Sequence, residues 1–368
     1  MEDCILRLCA DLLFKQEEFD CKMMEKWTPE EWSFAYHFAA SHGLLPIIAS
    51  LFNRINISDP ESKCIILAWF ADVEALKGKY LLRLEIMKWL ASLLQEKGFD
   101  IMFLKGATLA QFYSQPEWRC FSDVDYYLYE KSEVGICLLE KWGFKTHYYA
   151  HHHTQTSYKG VLLENHYDFF DCTNHRCNIT LNVEMKKLAE IEGKKYHFCF
   201  DDNTITNAYC MTPTMNAIFL MRHMSAHFVA ETIPFRMIFD WALFLVKQSH
   251  EIDWNKVIVL YKESGMMTFA EYIQYIIERK LHVSVEGCLI TPRYSCDVDK
   301  IWASIINIPK INPYPENCIM YDLFEAKTFF RNHWKHKIVY PKESYVKLFL
   351  SLFWINIKRK MNLQDTMK

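Results

Sequence analysis

Two carboxylates, Asp123 and Asp125, stand two positions apart in the segment Arg119-Cys120-Phe121-Ser122-Asp123-Val124-Asp125. The aromatic run that follows, Val124-Asp125-Tyr126-Tyr127-Leu128-Tyr129, reads as a strand. On a strand, residues two apart project from the same face. Carboxylates held side by side repel and perturb one another's ionisation. A hard divalent cation relieves that conflict, and Mg²⁺ takes an oxygen-only environment readily. Upstream, Ile101-Met102-Phe103-Leu104 has the length and apolarity of a buried strand, and Lys105-Gly106 turns the chain out of it. Residues Ala107 to Tyr113 can then form a short helix, followed by the polar loop Ser114-Gln115-Pro116-Glu117.

A third carboxylate is available in Val161-Leu162-Leu163-Glu164-Asn165-His166. Glu184, in the strand-like run Leu181-Asn182-Val183-Glu184, is the alternative. Taking Lys159-Gly160 as a two-residue hairpin turn pairs Tyr158 with Val161. Counting outward sets Gln155 opposite Glu164 and His153 opposite His166. Opposed residues share a face, so these four would line one surface, and a one-residue slip would undo the set.

Histidines cluster nearby at 147, 151, 152 and 153. Alternation puts His151 and His153 on one face and His152 on the other. They read as a polar strand edge, as phosphate or substrate contacts, or as metal ligands. Zinc is the weakest of these, because no cysteine stands at ligand spacing. His223 and His227 are four apart on an expected helix and share a face. Met224-Ser225-Ala226 between them lacks the glutamate that a zinc protease uses as base. Arg236 and Asp240 follow downstream. This second group reads either as a buried tie between helices or as lining of the site.

Leu104-Lys105-Gly106 followed by Arg-x-x-Ser-Asp-x-Asp resembles nucleotidyltransferases of the DNA polymerase β superfamily. Most members end the first strand in Gly-Ser or Gly-Gly. The Lys-Gly form looks like one branch, the uncharacterised nucleotidyltransferases common in bacteria. The run ending Glu164-Asn165-His166 is similar to that branch's apolar-x-apolar-Glu-x-His strand. The helix with two histidines, then Arg236 and Asp240, is similar to it as well. The resemblance covers about residues 99–250. It implies Mg²⁺-dependent transfer of a nucleoside monophosphate from an NTP, ATP first among candidates, to a hydroxyl or phosphate of an unidentified acceptor. It implies that Asp123, Asp125 and Glu164 hold two Mg²⁺ ions, with Mn²⁺ as a substitute, and that Glu164 also serves as base. Lys105, Gly106, Ser122 and Arg119 would contact phosphate. His153, His166, His223, His227, Arg236 and Asp240 would line the substrate space. Two other readings compete: a nucleotidyltransferase fold kept as a silent binding module, and a histidine-based metallohydrolase.

Around these residues the chain of 368 residues is 51% hydrophobic and 15% aromatic, enough for a large core. Its net charge of −3 lacks the basic footprint of a general nucleic-acid binder, so long nucleic acid is disfavoured as a partner. The 13 cysteines include no CxxC and suit reduced thiols in a cytoplasmic protein. Met1-Glu2-Asp3 is acidic rather than the basic start of a secretory signal, and no apolar stretch is long enough for a membrane span. Apolar periodicity predicts helices through residues 1–98, with a start at Thr28-Pro29 and a long helix from Cys64 to about Glu96. A mixed α/β unit over 99–211 follows. Residues 212–368 are helical again, with breaks near Pro234 and Gly265, prolyl loops near 308–315, and a closing basic helix from Ser344 to Lys360. The expected fold is α+β: a small mixed β-sheet nucleotidyltransferase core flanked by helical regions on both sides.

Overall fold

The computed structural model describes residues 1–15, 21–149, 152–200, 204–307 and 326–351. The prolyl loops, the basic end of the last helix and His151 lie outside the described residues.

Helices α1 (Glu2–Ala10), α2 (Pro29–His42), α3 (Leu45–Ala49) and α4 (Pro60–Gln95) come first, and the single turn α5 (Ala107–Ala110) follows the first strand. Thr28 caps α2 through a reciprocal box with Glu31, whose side chain accepts from the Thr28 N–H at 2.9 Å. Asp59 caps α4, and Gly98, at φ 72°, turns the chain away after it.

The sheet contains β1 (Ile101–Phe103), β2 (Asp123–Tyr127), β3 (Thr146–Tyr149), β4 (His153–Tyr158), β5 (Val161–His166), β6 (Tyr196–His197) and β7 (Ala208–Cys210). Their order across the sheet is β3-β4-β5-β2-β1-β7-β6. The pairs β2/β5 and β1/β7 are parallel, and the other neighbours are antiparallel. Lys159 and Gly160 both have positive φ, 48° and 77°, the twist that a two-residue hairpin needs. The hairpin therefore takes the expected register, with Gln155 opposite Glu164 and His153 opposite His166.

Each face of the sheet is covered. Val124, Tyr126 and Leu163 point to the back, where Ile86, Met87, Leu90 and Leu94 of α4 cover them together with Leu139 of α6 (Ser132–Lys141). Trp89 stacks on Tyr158 there at 4.1 Å. Tyr127 and Met102 belong to the front, beside α7 (Cys177–Glu192) and α8 (Pro213–Ala230). The front core continues into the N-terminal helices and into α9 (Phe235–Gln248), α10 (Trp254–Ser264), α11 (Met267–Tyr275), α12 (Cys296–Ile306) and α13 (His333–Val339). The chain thus has the α+β architecture expected. Among the described residues no helix is long and apolar enough to cross a membrane.

One local expectation is corrected. Glu184 lies on α7, not on a strand. Its β-branched neighbourhood favours extension locally, but Leu181, Met185, Leu188 and Ala189 fall on one helical face and are buried there. Packing overrides propensity. Ser132 opens α6, and its hydroxyl donates to the His166 carbonyl at 2.8 Å.

Candidate functional site

Asp123 and Asp125 occupy alternate positions of β2, on its front face. The parallel register sets Asp125 beside Glu164 and Tyr127 beside His166. The antiparallel register of β4 adds Gln155 and His153 to the same two rows. Three strands therefore present one polar patch, whose members lie between positions 123 and 166.

Lys105 reaches this patch from the turn after β1. Its ammonium stands 3.2 Å from Asp125 Oδ1 and 3.5 Å from Asp123 Oδ2. His166 Nε2 lies 3.1 Å from the same Asp125 Oδ1. Gln155 donates to Glu164 Oε1 at 2.7 Å, and His153 Nε2 stands 3.6 Å from that oxygen. Burial disfavours the Asp125 carboxylate, but Lys105 and His166 outweigh it and hold the group well below the usual range. Burial likewise acts against the charge on Lys105, and the carboxylates of Asp125, Asp123 and Glu164 more than restore it. Glu164 goes the other way: burial, then the neighbouring Asp125, pushes it up to about 7 against the pull of Lys105.

This donor set fits a divalent cation. Asp125, Glu164 and His166 each offer a ligand atom within 4.8 Å of the others. Asp125 Oδ2 is buried and has no hydrogen-bond partner among the described residues. A buried carboxylate oxygen left in that state is costly. His152, His153 and His166 form a second such group. Alternation had put His152 on the opposite face, but β4 begins only at His153, and His152 sits in the turn before it. His147, on β3, pairs through its backbone with Gln155 of β4.

The patch opens into a cavity of about 970 Å³. Lys105, Asp123, Asp125, Glu164, His153 and His166 line it, as do His223 and His227 from α8. His223 stacks on Phe219 at an interplanar angle of 8° and meets His227 edge-on at 4.5 Å. Burial and then the Lys105 ammonium lower His223 well below its ordinary value, which keeps it neutral. Ser122 is exposed beside the patch, its hydroxyl donating to Asp123 Oδ1 at 3.3 Å.

The remaining expected residues come together behind the turn. Arg119 is 4% exposed. Its Nε and Nη2 each donate to Asp240 at 2.9 Å, and Nη1 donates to the Gly106 carbonyl at 3.0 Å. Tyr113 donates to Asp240 Oδ1 at 2.8 Å. Arg236 donates to the Cys120 carbonyl. Arg119, Arg236 and Asp240 thus buttress the loop between β1 and β2, whereas His223 and His227 face the cavity. Gly106 has φ 69° and ψ −118°, and a Cβ there would lie 3.0 Å from the Phe121 ring, so the turn requires glycine.

Sequence reasoning missed the far wall. Phe169, Phe170, His175 and Arg222, with Asn332 and Tyr340 of the C-terminal segment, also line the cavity. No spacing joins 169–175 to 332–340, so only the tertiary fold could reveal it.

A family model described as an uncharacterised nucleotidyltransferase matches residues 28–282. No curated protein and no solved structure gives a match.

Proposed function

Because the chain belongs to this family of uncharacterised nucleotidyltransferases, we propose that it transfers a nucleoside monophosphate from an NTP to a hydroxyl or phosphate of an acceptor, with Mg²⁺ held by Asp123, Asp125 and Glu164. The observation that carries this reading is the parallel pairing of Asp125 with Glu164 on the cavity face, with Asp123 two residues back. The bound cation, which Mn²⁺ can replace, supplies charge neutralisation and Lewis acidity at the phosphate oxygens.

The residues divide the remaining work. His166 fixes the orientation of Asp125 through Oδ1, and Gln155 fixes Glu164 through Oε1. The flexible stem of Lys105 lets its ammonium move from the carboxylates to the departing pyrophosphate as a mobile point charge. Ser122 Oγ and the Gly106 backbone contact phosphate. Arg119 acts at one remove, by holding the Gly106 turn. Glu164 Oε2 accepts the proton of the acceptor hydroxyl. His153, His223 and His227 face the acceptor side of the cavity. ATP is the first nucleotide to test.

Calorimetry of NTP with Mg²⁺ on the wild type and on Asp125→Asn tests the reading. Binding to the wild type and at least about a tenfold loss in the variant are expected. Equal binding, or none to either, overturns it. A second reading, a binding module without turnover, is favoured by one observation: Lys105 already pairs with both aspartates from within the fold. Pyrophosphate release with any acceptor in a screen of sugars, nucleotides, peptides and proteins excludes that module.

A further inference from the structure

A separate cluster of ligating side chains joins the C-terminal segment to the loop before α7. His175 comes from that loop, His336 from α13, and Glu343 from the turn after α13. One ligand atom from each lies within 4.8 Å of the other two. His175 Nδ1 is 2.8 Å from Glu343 Oε2, and the Cys177 N–H donates to Glu343 Oε1 at 3.1 Å. His175 lies flat on Tyr340, with ring centroids 3.8 Å apart and planes at 5°. His336 differs from its two neighbours. It is 2% exposed, and its buried Nε2 has no hydrogen-bond partner among the described residues. Burying an imidazole nitrogen without a partner costs free energy that the other two members of the cluster do not spend.

We infer that His175, His336 and Glu343 form a second metal site, one for a transition-metal dication of the zinc type. Two imidazole nitrogens and one carboxylate oxygen form a recurrent zinc set that leaves a fourth position open. Nitrogen donors also set this site apart from the oxygen-rich one, since imidazole suits zinc and its neighbours whereas Mg²⁺ prefers oxygen. The side chains of His175 and Glu343 are 15% and 14% exposed, and His175 lines the cavity, so an ion can reach them from that side. Binding exchanges the His175–Glu343 hydrogen bond for two metal bonds and gives His336 its missing partner. Bonds of about 2.0–2.1 Å in a tetrahedron set the ligand atoms about 3.3 Å apart, so His175 Nδ1 and Glu343 Oε2 part slightly from 2.8 Å while their distances to the His336 ligand atom, within 4.8 Å, adjust to the same value. The Cys177 N–H remains on Glu343 Oε1 and orients the carboxylate. The ion would fasten residues 333–343, which include the cavity-lining Tyr340, to the body of the protein.

The test uses the full chain carrying Asp125→Asn and His166→Gln, which removes a ligand from the carboxylate group and from the histidine group in the first site. Titration with Co²⁺ should give intense visible absorption saturating at one equivalent, and Zn²⁺ should abolish it. Adding His336→Gln should remove the band, and adding Glu343→Gln should weaken binding by at least about tenfold. No intense absorption in the parent variant, or the same titration after His336→Gln, overturns the inference. Wild-type protein gives an arm that depends on no variant's folding. One equivalent of Zn²⁺, added with Mg²⁺ saturating, should slow amide hydrogen exchange across 333–343. Unchanged exchange there counts against the site.

Discussion

Asp125 is the residue on which the site turns. It is buried, it accepts from a histidine and a lysine through one oxygen, and its other oxygen is bare. Lys105 is therefore a counter-ion to the aspartates. Replacing it by methionine strands two aspartates beside Glu164. Breaking a buried pair in this way costs on the order of 3–5 kcal/mol. Lys105→Met is expected to melt several degrees below wild type without metal. Mg²⁺ should recover more stability in the variant than in the wild type, because the ion replaces the lost charge. Equal Mg²⁺ effects on the two melting curves would show that the lysine does not balance those carboxylates. At this scale much of the site was legible. The two-residue spacing of Asp123 and Asp125, and the hairpin count from Lys159-Gly160, led to the residues that share the cavity face. Arg119 was not legible in the same way. Its sequence neighbourhood suggests phosphate, but the partner that claims its guanidinium lies 121 residues away on α9.

The elements explain why that partner matters. The loop between β1 and β2 carries Lys105, Gly106 and Ser122, and only short helical turns stiffen it. Arg119 ties this loop to α9 through a bidentate pair with Asp240, and to its own beginning through the Gly106 carbonyl. Arg119→Met leaves Asp240 buried with a tyrosine hydroxyl as its remaining hydrogen bond among the described residues, a loss of about 3–5 kcal/mol. Combining it with Asp240→Leu should cost less than the sum of the two single changes by at least about 1 kcal/mol. Urea unfolding of the four proteins measures that coupling, and strict additivity would deny the clamp. The same scale shows where local propensity misleads. Around Glu184 the local β-branched residues argued for a strand. The helix won because every third or fourth residue from Leu181 onward meets the front core.

Across the whole molecule, regions distant in sequence share one core. His42 is a joint of this kind. It ends α2, is fully buried, and its Nδ1 accepts from the Phe235 N–H of α9 at 3.2 Å. Burial lowers it to about 4. The fold therefore prefers the neutral ring. Its contribution is fully present above the ordinary value near 6.5 and is lost as pH falls from there through about 4. Between pH 7 and pH 5 this group alone should remove about 2 kcal/mol of stability. Unfolding wild type and His42→Gln at both values isolates it: the wild type should show the steeper loss, and parallel losses would assign the acid sensitivity elsewhere. The long-range closure of the cavity by the C-terminal segment was not legible at all, because nothing in the spacing of residues links Tyr340 to Phe169.

The strand order also sets an order of assembly. Asp125 meets Lys105 across the β1–β2 connection, whereas its neighbour Glu164 arrives only after β3, β4 and the hairpin turn have been made. The first loop is roughly half as long as the second, so it is the cheaper one to close. A chain still emerging from the ribosome thus has a counter-charge for Asp125 before the second carboxylate is within reach. By that ordering, Lys105 shelters an incomplete acidic patch until the strands that finish it are in place.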